Sequence, residues 1–343
     1  MKKSYLYNII FTALFALVIS GCSHDTDTFD GPNLEDRFGS FSVLTDLGIS
    51  QPTVDFAAGE TVFFTAEFNK NVNWVIEITG TVSGSVKRIE GFDKSINASN
   101  ALWDGGTSDL PLFVNEVCNV VLTVPEEPTY MGTGSVETLS KKDYSTSGSL
   151  FTDFETDLGP DAFIGNYEFE FTAQTGRQTD IPAEGNNYFR LEGTDDVVPN
   201  FFVGLVELKA SITGQTYAPV PTTVPEELYF NCFLYSDAGP HGLGIIDFYV
   251  DANNNGTYEE SGDVAFRVPA DYNLATWDGW IHLSHPMSEI QNNGTPITQE
   301  QLAKLVNIRL LLISNMNTQP NPPLQVDFGI DYMIFTKGGP LEL

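Results

Sequence analysis

Short segments of alternating apolar and polar residues recur along most of the chain, a pattern typical of β-strands. Turn residues, many of them glycines, separate the segments. In the first half, this spacing predicts a small immunoglobulin-like sandwich over residues 39–138. Its predicted strands lie at 41–44, 61–68, 74–80, 85–89 and 117–124.

The polar stretch 139–149 has no apolar face and is predicted to be a linker. The segments after it predict a larger jelly-roll β-sandwich over residues 150–343, so the expected fold class is all-β. Its ten predicted strands lie at 151–155, 166–173, 187–192, 201–210, 227–235, 244–250, 264–268, 279–283, 308–314 and 326–335.

One helix interrupts the strand pattern. Thr298 and Gln301 have the spacing of a capping box, in which each side chain bonds the backbone N–H of the other residue. Leu302, Leu305 and Val306 would form the apolar stripe of this helix.

The N-terminus has the pattern of a secretion signal: Lys2 and Lys3, an apolar run over 9–19, then small residues. The run is shorter than the roughly 20 residues of a membrane-spanning helix, so we predict a cleaved signal peptide over 1–21. The segment from Leu17 to Cys22 resembles the lipobox of bacterial lipoproteins. That resemblance implies acylation of Cys22, and more than one acyl chain gives stable anchoring. A soluble secreted protein is the alternative.

Residues 22–38 are polar and acidic without hydrophobic periodicity, which predicts a flexible tether. With 46 acidic and 16 basic residues, the formal net charge is −30. Nucleic acid is therefore excluded as a partner, since binding to phosphates needs clustered Lys and Arg. The same charge favours a neutral ligand over an anionic one. Cys118 and Cys232 lie in separate apolar segments and are predicted to be buried free thiols.

The segment after residue 250 has the alternating oxygen ligands of an EF-hand-like calcium loop, with Gly256 at its sixth position. The twelfth position is Gly262 instead of a glutamate. An Asn-Gly hairpin between the strands ending at Val250 and beginning at Val264 explains the same residues without a metal, and both interpretations stay open. The candidate ligands are Asp251, Asn253, Asn255, Thr257, Glu259 and Asp263.

Catalysis is not expected. Glu168 and Glu170 share one strand face, but alternation with Phe169 and Phe171 is typical of a half-buried strand. The glycosidase, serine-hydrolase and zinc-protease signatures are absent from the sequence. We therefore predict a protein that is not an enzyme.

Flat aromatic rings beside polar loops are the expected means of binding sugar, because the apolar faces of sugars stack on them. Trp277 and Trp280 form the best cluster, with Trp277 the more exposed candidate and Trp280 the one expected to pack. Trp103 is either a sugar platform or a core residue. Tyr258 and Tyr272 are further candidates, and Tyr188, Tyr217 and Tyr235 stay unranked.

The segments at 153–155 and 329–334 resemble the first and last strands of jelly-roll carbohydrate-binding modules. This resemblance implies a structural calcium ion held by Glu155 and Asp331, with Asp153 as a third ligand.

The lipobox, the acidic tether, the first sandwich with its Trp103-Asp104-Gly105 sequence and the C-terminal jelly roll together resemble a family, the surface glycan-binding lipoproteins of Bacteroidota polysaccharide-utilisation systems. The resemblance implies a protein on the outer membrane that faces the cell exterior and holds polysaccharide for a glycan importer. The alternative is a non-catalytic adhesin or structural lipoprotein that binds protein.

Overall fold

The computed structural model describes residues 39–157, 163–167, 176–195, 202–237, 242–269, 272–273, 276–314 and 324–343. The predicted signal peptide, Cys22 and the tether lie outside them, as do Glu168 and Glu170. In the described ranges, the regular secondary structure is almost entirely β-strand, which confirms the predicted fold class. Within the described ranges, no helix is both long and apolar enough to cross a bilayer.

The N-terminal part of the chain forms one connected sheet of seven strands around its own core. The order is β1-β3-β6-β7-β2, and β4 and β5 also pair with β3. The strands are β1 Val43–Ile49, β2 Thr53–Asp55, β3 Val62–Gly80, β4 Val86–Ile96, β5 Leu102–Trp103, β6 Val117–Thr123 and β7 Met131–Ser140.

Strand β3 corrects the sequence prediction of two strands at 61–68 and 74–80, since it is continuous. Its first half pairs with β1, its second half pairs with β6, and β4 pairs with residues of both halves. A register shift in the pairing with β4, between Glu67 and Val72, separates the halves. Phe64 and Trp74, one from each half, are buried in the same core. The polar residues between the predicted strands mark this irregularity and not a loop.

The C-terminal part is a sandwich of two sheets. The six-stranded sheet has the order β10-β11-β21-β13-β17, with β8 on β21, and the eight-stranded sheet has the order β19-β18-β15-β14-β20-β12-β9, with β16 on β14. The strands are β8 Gly148–Thr152, β9 Phe163–Tyr167, β10 Gly176–Gln178, β11 Tyr188–Asp195, β12 Phe202–Lys209, β13 Leu228–Ser236, β14 Gly242–Val250, β15 Val264–Arg267, β16 Tyr272–Asn273, β17 Gly279–Pro286, β18 Gln291–Asn292, β19 Thr295–Pro296, β20 Leu305–Ser314 and β21 Leu324–Lys337.

The predicted capping box forms, but the helix is shorter than predicted. Thr298 caps helix α1, Gln299–Leu302, and Gln301 bonds back to the Thr298 N–H at 2.9 Å. Leu305 and Val306, assigned to the helix by their spacing, instead begin β20. Leu302 in the helix and Leu305 and Val306 in the following strand have the spacing of one helix face, although they belong to two consecutive elements. Short 3-10 turns in the described residues include Tyr144–Ser147, Ala210–Thr213 and Met287–Glu289.

Inward-facing residues of the two C-terminal sheets form a single core, which includes Cys232. Cys118 is buried in the N-terminal core, and both cysteines are free thiols, as predicted. A third apolar cluster joins the two parts of the chain. It contains Leu112 from the first part, Phe233 from the second and Tyr144 from the segment predicted to be a linker.

Candidate functional site

A row of polar side chains crosses the outer face of the eight-stranded sheet. The strand registers place Glu207, Arg309, Asp247, Arg267 and Gln291 directly opposite one another on β12, β20, β14, β15 and β18. Four strand spacings of about 4.8 Å make the row about 19 Å long. The sequence alternation puts these residues on the face opposite the core, and the pairing aligns them.

Asp247 is the centre of the row. Although its side chain is 2 % exposed, it lies between two guanidinium groups that satisfy its charge. Arg267 donates from Nε to Oδ1 at 2.7 Å and Arg309 donates from Nε to Oδ2 at 3.1 Å. Two-point binding by Arg fixes the planes of both guanidinium groups along the sheet surface. We call this surface, from Glu207 to Gln291, the sheet face.

Two tyrosines lie beside the row on the sheet face. Tyr249, on β14, is buried beneath the guanidinium group of Arg309, whose Cζ lies 4.9 Å from the ring centre. Tyr258 covers Tyr249 with a separation of 4.1 Å between ring centres, and it remains partly exposed. Burial raises the pKa of Tyr258 above its ordinary value, so its hydroxyl is neutral at pH 7. Tyr258 therefore offers an aromatic ring and a neutral polar tip.

Two hollows lie on the sheet face. One, of about 610 Å³, is lined by Glu207, Asn307 and Tyr258 among others. The second, of about 310 Å³, is lined by Arg267, Asn292 and other residues near the end of the row. Carboxylate, amide and guanidinium groups thus surround space of the size that small ligands occupy. This combination of a ring and fixed donors and acceptors suits a chain of sugar units.

Tyr258 is held over the sheet by the loop between β14 and β15. Gly256 has a φ of +85°, a left-handed conformation that L-residues with side chains rarely adopt. Asp251 is fully buried and accepts four hydrogen bonds: from the N–H groups of Asn254, Asn255 and Gly256, and from Tyr217 Oη. Burial raises the pKa of Asp251, but these hydrogen bonds lower it by more, leaving it below its ordinary value.

The loop was also the first candidate calcium site. A carboxylate has about four acceptor positions, and those of Asp251 are all used. Asp263 accepts from the N–H groups of Ala252 and Asn253 with one oxygen and from Glu259 N with the other. The oxygens of Asn253 and Asn255 accept from Asn255 N and Thr257 N, at 3.0 and 2.9 Å. Each of these oxygens therefore has a hydrogen-bond partner within the loop, which gives the hairpin between β14 and β15 a metal-free explanation beside the predicted calcium ion.

At the second candidate calcium site, the predicted ligands Asp331 and Glu155 both accept hydrogen bonds. Asp331 is fully buried and accepts hydrogen bonds from the N–H groups of Ala183, Glu184 and Tyr332 at 2.8–3.0 Å. Burial raises the pKa of Asp331 well above its usual range. Glu155 accepts from the backbone and side-chain amides of Asn186 and Asn187.

At the second candidate calcium site, a lysine side chain supplies positive charge. Lys141 forms an ion pair with Glu184, next to Asp331. Over the described parts of the chain, no three or more His, Cys, Asp or Glu side chains are grouped as a metal site. Calcium remains a prediction from the sequence at both candidate sites.

The predicted tryptophans divide between core and surface. Trp103 is fully buried and donates from Nε1 to Gly106 O at 2.8 Å, so its proposed role as a sugar platform is wrong. Trp277 packs on the main core, and its buried Nε1 has no hydrogen-bond partner among the described residues. Trp280 lines a cavity between the two parts of the chain. Trp280 also packs, against the third apolar cluster, as expected, while both tryptophans stay partly exposed, so Trp277 as the more exposed of the two remains a prediction.

Of the tyrosines, Tyr258 lies on the sheet face, and Tyr272 lies on β16, which pairs with β14 at Gly244. Sequence reasoning missed Tyr249, Arg309, Asp247 and Arg267. Each lies at an outward position of an alternating strand, but only the pairing of strands distant in sequence brings them together.

Comparisons with known proteins find remote structural similarity alone. No family model matches the chain, and no curated protein matches it significantly. One similar solved structure comes from work on the promiscuous specificity of carbohydrate-binding modules of the β-sandwich superfamily. It has a TM-score of 0.35 and 13 % identity, over 86 % of this chain and 97 % of that one.

Two surface glycan-binding proteins are also similar. SGBP-B from a complex xyloglucan utilization locus in Bacteroides uniformis has a TM-score of 0.34 and 16 % identity, over 87 % of this chain and 73 % of that one. PbSGBP-B from Prevotella bryantii has a TM-score of 0.36 and 14 % identity, over 87 % and 77 %. At these values, the assignment of function depends on the side chains of this chain.

Proposed function

We propose that this protein is a non-catalytic glycan-binding lipoprotein of the outer-membrane surface, and that it holds a neutral polysaccharide on the sheet face. The observation that carries the proposal is the placement of Tyr258 over Tyr249, beside the Arg309–Asp247–Arg267 row, with one polar hollow lined by Tyr258 and a second lined by the row itself. Tyr258 provides the stacking surface, and the row provides donors and acceptors for hydroxyl groups.

The charges of the row favour a neutral ligand. Asp247 is matched by Arg267 and Arg309, and Asn307 donates from Nδ2 to Glu207 Oε1 at 2.6 Å. An anionic polymer would have to compete with these carboxylates and approach a chain of net charge −30. A neutral glucan, mannan or xylan meets neither obstacle.

The same pairing argues against hydrolysis at the sheet face. A glycosidase needs one carboxyl group to protonate the leaving oxygen and a second to act on the other side of the bond. Both oxygens of Asp247 are bound by guanidinium groups, and Glu207 is bound by Asn307. We therefore propose binding without bond cleavage.

Anchoring follows from the lipobox sequence ending at Cys22. A lipid-held binder raises the local concentration of a captured polymer, and several weak contacts along one chain add through avidity. In the proposed arrangement, an outer-membrane importer takes over the held glycan. The second candidate function is an adhesin or structural lipoprotein that binds protein, and the experiment below separates it from the first.

Affinity electrophoresis in gels containing a neutral glucan, xylan, mannan or galactan tests the proposal. We expect at least one polymer to retard the protein, and Tyr258→Ala to lose on the order of tenfold in affinity, as for an aromatic anchor at a binding site. Tyr229→Ala is the matched control, because Tyr229 is partly exposed on the other sheet, on β13. Normal mobility in every polymer would favour the protein-binding alternative.

A further inference from the structure

A cavity of about 850 Å³, larger than either hollow of the sheet face, lies between the two parts of the chain. One wall comes from the N-terminal part and includes Val114 and Asn115. The opposite wall comes from the six-stranded sheet and the segment before β11, and it includes Asp180, Tyr235 and Trp280. The proposed function does not use this cavity.

The sheet wall carries aromatic rings from neighbouring strands. Tyr235 on β13 is directly opposite Trp280 on β17 and Gly329 on β21. A Cβ atom placed on Gly329 would come within 2.9 Å of Tyr235 Cβ, 3.1 Å of Tyr188 Cε2 and 3.2 Å of Trp280 Cη2. The indole of Trp280 therefore reaches across the intervening strand to Gly329, and the missing side chain at 329 makes room for it.

Trp280 is fixed in this orientation. Its Nε1 donates to Ile181 O at 2.7 Å, and its ring contacts those of Tyr188 and Tyr235 with centres 5.4 Å apart. Trp280 and Tyr235 both remain partly exposed and line the cavity. A rigid, partly exposed pair of rings reduces the entropy lost when a flat ligand binds.

The polar lining matches hydroxyl groups and not a charged ligand. Lys141 and Asp180 are the charged residues lining this cavity in the described part of the chain, and each is paired. Lys141 is bound to Glu184, and Asp180 accepts from Arg190 NH1 at 2.7 Å and Tyr188 Oη at 2.8 Å. Asp180 keeps further acceptor positions for a hydroxyl donor.

Hydrogen bonds between the two parts of the chain hold the two walls of the cavity in place. Leu112 N donates to Ala183 O at 2.8 Å beside the cavity, and Lys141 reaches Glu184 across the same junction. The third apolar cluster continues this contact through Leu112, Tyr144 and Phe233. Contacts between the two parts of the folded chain thus maintain the cavity.

We propose that this cavity is a second saccharide-binding site, which takes a neutral sugar unit against Trp280 and Tyr235 with its hydroxyl groups toward Asp180. The proposal rests on the glycan-binding function proposed above. Two sites on one chain would engage two segments of a polymer, and their affinities would combine through effective concentration.

Fluorine NMR of the protein labelled with 5-fluorotryptophan tests this site separately from the sheet face. Trp280→Phe identifies the Trp280 resonance among those of the four tryptophans. The probes are cellotetraose, xylotetraose, mannotetraose and laminaritetraose. We expect at least one to shift the Trp280 resonance, and the shift to persist in Tyr258→Ala, while the buried Trp74 and Trp103 do not respond.

A second variant blocks the cavity from the opposite wall without altering Trp280. Val114→Trp should remove the Trp280 response, or weaken it on the order of tenfold, as expected when an anchor loses its pocket. If a probe binds and the Trp280 resonance does not move, the second site is excluded and the sheet face stands. If no probe moves it and no polymer retards the protein, both proposals fail.

Discussion

Arg309 lies over the ring of Tyr249, with its Cζ 4.9 Å from the ring centre, while its nitrogen atoms bind Asp247. Arg309 thus connects the charged row of the sheet face to the tyrosine pair. Because the guanidinium group is planar, one side chain satisfies both contacts. The position of Tyr258, which rests on Tyr249, depends on this arrangement.

Replacing Arg309 with lysine keeps the charge but removes the planar fork. We expect Arg309→Lys to weaken binding of the retained polysaccharide about three- to tenfold. The lost stacking and hydrogen bonding contribute roughly 0.5–1.5 kcal/mol, which corresponds to a change in affinity of that size. Affinity electrophoresis measures the effect. Arg88→Lys is the control, because Arg88 pairs with Glu77 on the surface of the N-terminal part. Equal losses in both variants would contradict the role of Arg309.

Asp247→Asn tests the charge pairing at the centre of the row. It leaves two arginines without their carboxylate, and we expect a loss of about 2 kcal/mol in the free energy of unfolding, the range for hydrogen bonds to charged groups. Urea denaturation measures it. Glu77→Gln, which removes an exposed carboxylate, should change stability by less than about 1 kcal/mol. An unchanged stability in Asp247→Asn would show that the pairing does not stabilise the fold.

The buried Asp251 predicts a pH dependence with a defined sign. Its pKa in the folded protein lies below its ordinary value, so the unfolded chain takes up the proton first as the pH falls. The stabilisation is complete above the unfolded pKa of about 3.9 and is lost as the pH falls through the folded value. Asp251→Asn should therefore be less stable than the parent protein at pH 7, and the difference should shrink below about pH 4. A difference independent of pH would contradict this account.

The filled acceptor positions of Asp251 and Glu155 predict that calcium is not needed for folding. We expect the unfolding temperature to be the same, within about 1 °C, in EGTA and in millimolar CaCl₂, because a ligand that does not bind the native state does not stabilise it. Scanning calorimetry measures this. A rise that depends on calcium concentration would restore the predicted sites, and its loss in either Asp251→Asn or Glu155→Gln would identify which one.

The sequence predicts the strands well because alternation is a local signal. It also predicts the cap at Thr298 and the turn at Gly256, which depend on neighbouring residues. It does not predict that Leu305 begins a strand, nor that β3 is continuous, because apolar spacing alone does not mark a boundary or a register shift. The fate of Trp103 was left open for the same reason, since burial depends on the far side of the sandwich.

The proposed site could be predicted from the sequence only in part. Tyr258 was identified from its place in a polar loop, yet the residues that give it a role lie on β12, β14, β15 and β20. Asp247 and Arg309 are more than 60 positions apart, and only the pairing of β14 with β20 makes them neighbours. Cross-strand register of this kind is a tertiary property, which a single sequence read in order does not contain.

A crystal structure with bound sugar would show whether the sheet face holds the glycan, as proposed here. The crystal would be soaked with a tetrasaccharide of the polymer that retards the protein. We expect sugar density along the row from Glu207 to Gln291, with one ring against Tyr258. Density elsewhere on the molecule, with the sheet face open and empty, would contradict it.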